Sequence, residues 1–285
     1  MRQYSFIIFL LLASSSILTG TVEDVGRHNT ILRPEKEMEL DAFSFAVLSD
    51  THIGGDAGAG VFKAIVKEIN RLEPLFVVHL GDSIHSHGDP DVVAARYDEF
   101  SDIAALLSAE VRHVPGNHEI AGSKAREEIY VERFGPLYYS FVRNGCLFIV
   151  INTETVGREG IIGGEQLAWL ERELDKSGDY KYIFVFAHRP MFSVLSPGKD
   201  YIHFISPDNR DNIQNLFLQN GVTAFFAGHE HLHHSGDWDG LRQVITGGGG
   251  GRFHFFGGFY HFLHIEVSGG LVEIQAVRVY PQGIE

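Results

Sequence analysis

The sequence predicts an α/β domain in which helices cover the faces of the sheets. Apolar runs at 43–48, 75–80 and 182–187 lack the alternation of polar and apolar residues that a half-exposed strand shows. Segments with apolar residues at helical spacing lie between such runs, and 62–72 is the first of them. Strands that are apolar on both faces belong in a sheet that helices cover.

The other predicted elements follow in the same alternating order. Asp89 and Pro90 supply an N-cap and a first-turn proline for a helix that runs through Leu107. Asn144 and Gly145 predict the tight turn of a hairpin. The remaining elements are a strand at 111–114, a helix at 123–134, hairpin strands at 138–142 and 146–151, a helix at 165–176, a short helix after Pro207, an apolar strand at 223–227 and a strand pair at 259–267 and 271–280.

The N-terminus has the pattern of a secretory signal peptide. Arg2 precedes an apolar run at 5–13, and small residues follow as far as Gly20. The run is shorter than the ~20 residues of a spanning helix, which favours cleavage over a signal anchor and predicts no stable membrane span afterwards. We therefore expect a secreted, periplasmic or cell-surface protein, with 1–20 as the signal, 21–40 as a polar leader and 41–285 as the domain.

Composition narrows the class of ligand. The formal net charge of -14 argues against nucleic-acid binding, which needs a surplus of Lys and Arg, but small anions can bind where cations reverse the local field.

The only cysteine, Cys146, begins an apolar run and is predicted to be a buried strand residue, not a nucleophile. The glycine run 247–251 lacks the Lys-Ser/Thr of a phosphate-binding loop, so a close backbone approach or a mobile turn is favoured.

Side chains that can bind a metal follow five of the apolar runs. Ligands collect outside the carboxyl ends of strands in such sheets, so these side chains are predicted to share one rim. The candidate ligands are too many for one ion, but two ions that share a carboxylate can accommodate them. Oxygen and imidazole ligands without a thiolate favour Mn, Fe, Zn or Co, without a choice among them. The candidate ligands are Asp50, His52, Asp82, Asn117, His188, His229 and His231.

Each candidate also has a structural interpretation. An aspartate after a strand can cap a helix, and a histidine in a loop can bond to the backbone. Arg189 is a candidate substrate contact, with a structural salt bridge as the alternative. His85 is a second candidate substrate contact. Other histidines are interpreted as solvated or supporting (His87, His233, His234) or as bonded to the backbone within strands (His79, His113).

The order of the motifs resembles that of the calcineurin-like metallophosphoesterases. The matching motifs are Asp50-Thr51-His52, Gly81-Asp82, Gly116-Asn117-His118-Glu119, a lone His188 after a strand and Gly228-His229-Glu230-His231. The resemblance implies two facing mixed β-sheets flanked by helices, a four-layer α/β/β/α sandwich. It implies two metal sites that share Asp82, one completed by Asp50, His52 and His231 and the other by Asn117, His188 and His229. It also implies that His118 is not a ligand and faces the leaving oxygen.

Within this superfamily the chain looks most like the purple acid phosphatase-like branch. Purple members carry a tyrosine three residues after the Gly-Asp aspartate, where this chain has His85. The chain instead carries His52, as the bacterial phosphodiesterases of the superfamily do. The resemblance therefore implies a site without ferric-tyrosinate chemistry.

These inferences predict an exported phosphoesterase with two divalent metal ions that hydrolyses small phosphate monoesters. Two cations lower the pKa of a bound water, so that hydroxide attacks phosphorus in line while His118 assists the leaving alcohol. One alternative is a phosphodiesterase on the same site, of the cyclic-nucleotide or glycerophosphodiester type. The other is a metal-binding protein without turnover.

Overall fold

Two β-sheets face each other in a computed structural model of the chain, which describes residues 24–25, 29–32, 42–55, 57–195, 204–253 and 258–281. The first sheet contains, in spatial order, β1 (Asp24–Val25), β2 (Asn29–Leu32), β13 (Leu271–Arg278), β12 (His261–Ser268), β3 (Phe43–Leu48), β4 (Phe76–His79) and β5 (Glu110–His113). The second contains β10 (His233–Trp238), β11 (Leu241–Thr246), β9 (Ala224–Ala227), β8 (Tyr182–Phe186), β7 (Cys146–Val150) and β6 (Tyr139–Arg143).

Helices cover the outer face of each sheet. They are α1 (Gly58–Leu72), α2 (Pro90–Ala104), α3 (Asn117–Ile120), α4 (Lys124–Phe134), α5 (Gly164–Leu174) and α6 (Pro207–Gln219). Buried residues of α1 and α2 pack on the first sheet, and buried residues of α5 and α6 pack on the second. The predicted four-layer sandwich of two mixed sheets and flanking helices is confirmed.

Alternate residues of the central strands enter different cores. In β3, Phe45 points between the sheets, where its ring centroid lies 5.4 Å from that of Phe148 and 5.3 Å from that of Phe184. Ala46 and Leu48, its alternates, face the helices. This is why the buried positions of the central strands are apolar on both faces.

Several predicted details are confirmed. Asp89 caps α2, and its carboxylate accepts a hydrogen bond from the Asp91 N–H at 2.9 Å. Asn144 and Gly145 turn the β6–β7 hairpin with φ values of 45° and 71°. Cys146 is buried, and burial raises the pKa of its thiol to about 12. A thiolate nucleophile is therefore not expected there.

Other elements differ from prediction. Strand β10 has no apolar run to reveal it, because it lies at the sheet edge and pairs only with β11. Helix α6 has 13 residues where a short helix was predicted. Within the predicted leader, β2 pairs with β13, so residues 29–32 belong to the first sheet. Residues 1–20, the predicted signal, lie outside the described part of the chain, and no helix within that part is long and apolar enough to cross a membrane.

Candidate metal centre

The predicted ligands converge at one rim of the sandwich. Strands β3, β4 and β5 are parallel in the first sheet, and β7, β8, β9 and β11 are parallel in the second. The loops that follow β3, β4, β5, β8 and β9 carry all of the predicted ligands. The spatial prediction that these side chains share a rim is met.

The backbone is unusual at four of these positions. Asp50, His52, Asp82 and His229 have φ values of 61°, 46°, 54° and 67°, in the left-handed region that residues with a side chain seldom adopt. Such a conformation costs about 1–3 kcal/mol per residue and persists only where its surroundings hold it. The left-handed backbone conformation directs these side chains toward a common centre.

Hydrogen bonds between the loops hold the strained residues. The Asp50 N–H donates to the Gly81 carbonyl at 3.0 Å, and the His52 N–H donates to the Asp82 carbonyl at 3.0 Å. The His229 N–H donates to Asp50 Oδ2, also at 3.0 Å. The loops after β3, β4 and β9 are therefore fastened directly to one another.

One group of donor atoms comes from Asp50, His52 and His231. His52 Nε2 lies 3.1 Å from His231 Nε2, and His231 Nε2 lies 3.3 Å from Asp50 Oδ1. Asp50 is fully buried, and among the described residues its Oδ1 has no hydrogen-bond donor. A buried carboxylate oxygen of this kind needs a positive charge beside it.

A second group comes from Asp82, Asn117, His188 and His229. His188 Nε2 lies 2.9 Å from Asn117 Oδ1, 3.1 Å from His229 Nδ1 and 3.4 Å from Asp82 Oδ2. Asp82 Oδ2 also lies 3.5 Å from His52 Nε2, so one carboxylate oxygen faces both groups. Asp82 therefore lies between the two groups of donor atoms.

Outward hydrogen bonds orient two of the imidazoles. His188 Nδ1 lies 2.9 Å from the Leu80 carbonyl, and His231 Nδ1 lies 2.6 Å from the Arg252 carbonyl. A carbonyl only accepts, so each Nδ1 carries a proton and Nε2 is the ring nitrogen that faces inward, where it can offer a lone pair to a cation once it is unprotonated. This is the arrangement in which proteins hold metal-binding histidines.

The charges in the site require a cation or protons. Burial opposes ionisation of Asp82, but the imidazoles around it hold its pKa well below the usual range. Burial likewise opposes protonation of His188, yet the Asp82 carboxylate outweighs it and raises the pKa of His188 to about 10. Inward Nε2 atoms, buried carboxylates and the absence of a thiolate among these ligands fit divalent metal ions that accept oxygen and nitrogen ligands.

His118 lies beside this site in a different role. The Ser86 N–H donates to its Nδ1 at 3.0 Å, which places the proton of the neutral ring on Nε2. Nε2 lies 3.9 Å from Asp82 Oδ2, and 24% of the side chain is exposed. Burial lowers the pKa of His118 to about 4, so the ring is neutral at neutral pH. An N–H that faces an open site suits a hydrogen-bond donor better than a metal ligand.

Glu119 is a functional residue to which the sequence interpretation assigned no role. Its buried carboxylate accepts hydrogen bonds from the N–H groups of Asp82 and Gly116, each at 2.9 Å, and from the Ser83 hydroxyl at 2.5 Å. It thereby joins the loop of the central aspartate to the loop of Asn117. An acidic residue directly after Asn-His was the available signal.

Glu230 plays a similar part between His229 and His231. It is buried and accepts hydrogen bonds from the Ser193 hydroxyl and from the Val194 N–H, the latter at 2.9 Å. The segment after β8 is thus fastened to the loop after β9.

Buried His79 forms hydrogen bonds with the loops that carry the predicted ligands. Its Nδ1 accepts from the Gly81 N–H at 3.3 Å, and its Nε2 lies 3.1 Å from the Thr51 hydroxyl, which donates to the Ser83 carbonyl at 2.9 Å. Burial lowers the pKa of His79 to about 3, so it serves as a neutral connector.

The two candidate substrate contacts differ in their surroundings. Arg189 is buried, and its Nε and Nη2 donate to the two oxygens of Glu154 at 2.7 Å each. This is the structural salt bridge that was the alternative, and it occupies the guanidinium edge that a phosphate would need. His85 is exposed at the mouth, with its Nδ1 3.4 Å from His52 Nδ1 and its ring centroid 5.0 Å from that of His118. A substrate contact by His85 stays a prediction.

The glycine run passes directly against the ligands. The Gly251 N–H donates to the Asp50 carbonyl at 2.8 Å. A Cβ on Gly251 would lie 2.6 Å from His231 Cε1 and 2.7 Å from His52 Cδ2. The run is therefore a close backbone approach, the first of the two predicted alternatives.

Gly251→Ala should consequently disturb metal binding. We expect the new methyl group to displace the His52 or His231 ring and to weaken Mn²⁺ binding about 10- to 100-fold. Titration of chelator-treated protein with Mn²⁺ measures this. Gly178→Ala is the matched control, because a Cβ there meets nothing within 4 Å. Equal affinities in the two variants would contradict the prediction.

Relatives in sequence are phosphatases by name. Serine/threonine-protein phosphatase CPPED1 of Homo sapiens is 29% identical over 197 residues, which cover 64% of this chain. The alignment spans 62% of that protein, less than two thirds of its length. Tartrate-resistant acid phosphatase type 5 of Oryctolagus cuniculus is 25% identical over 262 residues, covering 78% of this chain and 77% of that protein.

Solved structures share the fold. A purple acid phosphatase from yellow lupin, Lupinus luteus, superposes with a TM-score of 0.67 at 16% identity and covers 85% of this chain and 53% of its own. A dimetal phosphatase from Danio rerio superposes with a TM-score of 0.64 at 17% identity, covering 84% and 99%. The calcineurin-like phosphoesterase model matches residues 43–233, which include all of the predicted ligands and His118 but not the glycine run. The chain therefore belongs to the calcineurin-like phosphoesterase family.

Proposed function

We propose that this chain is an exported phosphoesterase that uses two divalent metal ions to hydrolyse phosphate monoesters. The observation that carries the proposal is the pair of donor groups that share Asp82, with the Nε2 atoms of His188 and His231 turned inward. The names of the sequence relatives, a serine/threonine-protein phosphatase and an acid phosphatase, support monoesters over diesters. The signal-peptide pattern of residues 1–20 supports export.

The predicted ligands would form two sets, one for each cation. Asp50, His52, Asp82 and His231 would hold one cation, and Asp82, Asn117, His188 and His229 would hold the other. Two such cations supply the positive charge that activates water and offsets the charge of the phosphoryl group.

The chain itself orients the substrate and supplies the proton. Asn117 and His118 lie on the short helix α3, which Glu119 fastens to the Asp82 loop. The Ser86 N–H holds the His118 ring so that its Nε2–H faces the space beside Asp82, where the leaving oxygen would lie. His118 therefore donates to that oxygen as the bond to phosphorus breaks.

Turnover with defined metals tests the proposal. We expect Mn²⁺-loaded protein to hydrolyse p-nitrophenyl phosphate with a kcat/KM about tenfold or more above that for bis(p-nitrophenyl) phosphate, and chelation to remove at least about 99% of the activity until Mn²⁺ is restored. A preference for the diester would overturn the monoester assignment in favour of a phosphodiesterase. If neither ester is hydrolysed, the chain is a metal-binding protein without turnover.

A further inference from the structure

An exposed arginine lies at the edge of the candidate metal centre, directly after the glycine run. The Arg252 carbonyl accepts the hydrogen bond from His231 Nδ1 at 2.6 Å. On one side of it, the Gly251 N–H is bonded to the Asp50 carbonyl at 2.8 Å. On the other side, the ring of Phe253 packs on Tyr260 with a centroid distance of 4.9 Å. The backbone of Arg252 is therefore held firmly beside a proposed ligand.

The other arginines around the site already have partners. Arg189 is paired with Glu154 in a buried salt bridge. Arg96 donates to the carbonyls of His85 and Ser86, and Arg126 donates to the carbonyl of His87. Each of these guanidinium groups is thus engaged at least in part by hydrogen bonds or an ion pair within the structure.

Arg252 differs from them. It is exposed, and within the described part of the chain its guanidinium forms no ion pair and no hydrogen bond. An arginine spans several ångströms from its backbone, so a group bound next to His231 lies within its reach. In a chain of net charge -14, an unpaired cation at the mouth of an anion-binding site attracts anionic ligands.

We infer that Arg252 binds a second anionic group of the substrate, beyond the phosphoryl group that is cleaved. This inference rests on the proposed function. A guanidinium pairs with a carboxylate or a phosphate through two parallel hydrogen bonds, so the substrate class is a phosphate monoester whose alcohol part carries either group. Arg252 is then a residue that determines specificity, while the scissile phosphoryl group belongs to the metal centre.

Matched pairs of esters test the inference. 3-Phosphoglycerate and glycerol 3-phosphate differ by a carboxylate, and fructose 1,6-bisphosphate and fructose 6-phosphate differ by a phosphate. In at least one pair, we expect wild-type protein to have the higher kcat/KM for the ester that carries two anionic groups. Arg252→Ala should reduce that preference about tenfold, mainly through KM, and Arg252→Lys should restore part of it, because an ammonium retains the charge without the paired geometry. The pair that responds identifies the second anion as carboxylate or phosphate.

A control and a binding measurement complete the test. Arg143→Ala removes an exposed charge from the hairpin at the opposite end of the second sheet and should leave the preference intact. Calorimetric affinities of the same esters for Mn²⁺-loaded protein provide a readout that does not depend on turnover. If wild-type protein hydrolyses none of the esters, the proposed function fails, and the affinities alone decide the role of Arg252. The inference is overturned if Arg252→Ala and wild-type protein show the same preference for the doubly anionic esters.

Discussion

Asp82→Ala should leave the protein unable to hold either cation. Asp82 Oδ2 lies 3.5 Å from His52 Nε2 and 3.4 Å from His188 Nε2, so it is the carboxylate oxygen that faces both donor groups. Its removal takes a negative charge from each site at once. Loss of cations that contribute several kcal/mol to the transition state should lower kcat/KM by about three orders of magnitude or more.

The variant is also expected to disturb the neighbouring loop. Asp82 Oδ1 accepts the His118 N–H at 2.8 Å, and alanine cannot replace this acceptor. Asp82→Asn separates the two effects, because its amide oxygen keeps the acceptor while the negative charge is lost. If the shared charge holds the ions, Asp82→Asn should also lose most of its metal.

Elemental analysis of purified variants measures the outcome. Wild-type protein should contain two ions per chain, and Asp82→Ala should contain fewer than one, by the two-metal assignment. Asp98→Ala is a suitable control, because Asp98 is an exposed carboxylate that pairs with Arg133 on the surface. Two ions still bound to Asp82→Ala would refute the bridging assignment.

The position of the site could be predicted because the ligands follow strands, and the ends of strands can be located in the sequence. Each ligand follows an apolar run in the sequence, and parallel strands bring their carboxyl ends to one edge. Asp50 and Asp82 therefore meet although 32 residues separate them, as the hydrogen bond between the Asp50 N–H and the Gly81 carbonyl shows. Strands that bury both faces likewise predicted sheets covered by helices, whereas the facing of two sheets in α/β/β/α layers was implied by the family resemblance of the motifs.

The supporting contacts could not be predicted in the same way. Glu119 and Glu230 accept hydrogen bonds from residues that lie 36 or more positions away in the sequence, so their partners could not be identified before the chain was folded. The positive φ values of Asp50 and Asp82 likewise arise from tertiary hydrogen bonds that override local preference. The partner of Arg189 lies 35 residues away, so only the folded chain distinguishes a salt bridge to Glu154 from a phosphate contact.

Strand β10, at one edge of the second sheet, escaped prediction for a different reason. The sequence of β10 reads His-His-Ser-Gly-Asp-Trp, and its residues are only partly buried. Backbone pairing with β11 is sufficient to place it there. Strand β2 was missed as well, and it lies in the first sheet between β1 and β13. Pairing of this kind needs no apolar pattern and leaves none in the sequence.

His118→Ala should retain both ions. It should lose the most activity on esters whose leaving group needs a proton in order to depart. The ring contributes no donor atom to either proposed metal site, because the Ser86 N–H occupies Nδ1 and Nε2 carries the proton. General acid assistance contributes about 10²- to 10⁴-fold to such reactions. Alkoxide leaving groups need that assistance most, whereas nitrophenolate leaves readily without it. We therefore expect a larger loss of kcat on glycerol 3-phosphate than on p-nitrophenyl phosphate.

The comparison between the two esters separates proton donation from binding. If His118 only bound the phosphoryl group, both esters would lose the same factor, because both present the same phosphoryl oxygens. Unequal losses with two ions still present therefore assign the proton to the Nε2–H of His118. His87→Ala is the matched control, since His87 is an exposed imidazole on the loop after β4, next to Ser86, and its Nδ1 accepts from the Asp89 N–H at 3.0 Å. Equal losses on the two esters would reduce His118 to a phosphoryl contact and leave protonation of the alcohol to solvent.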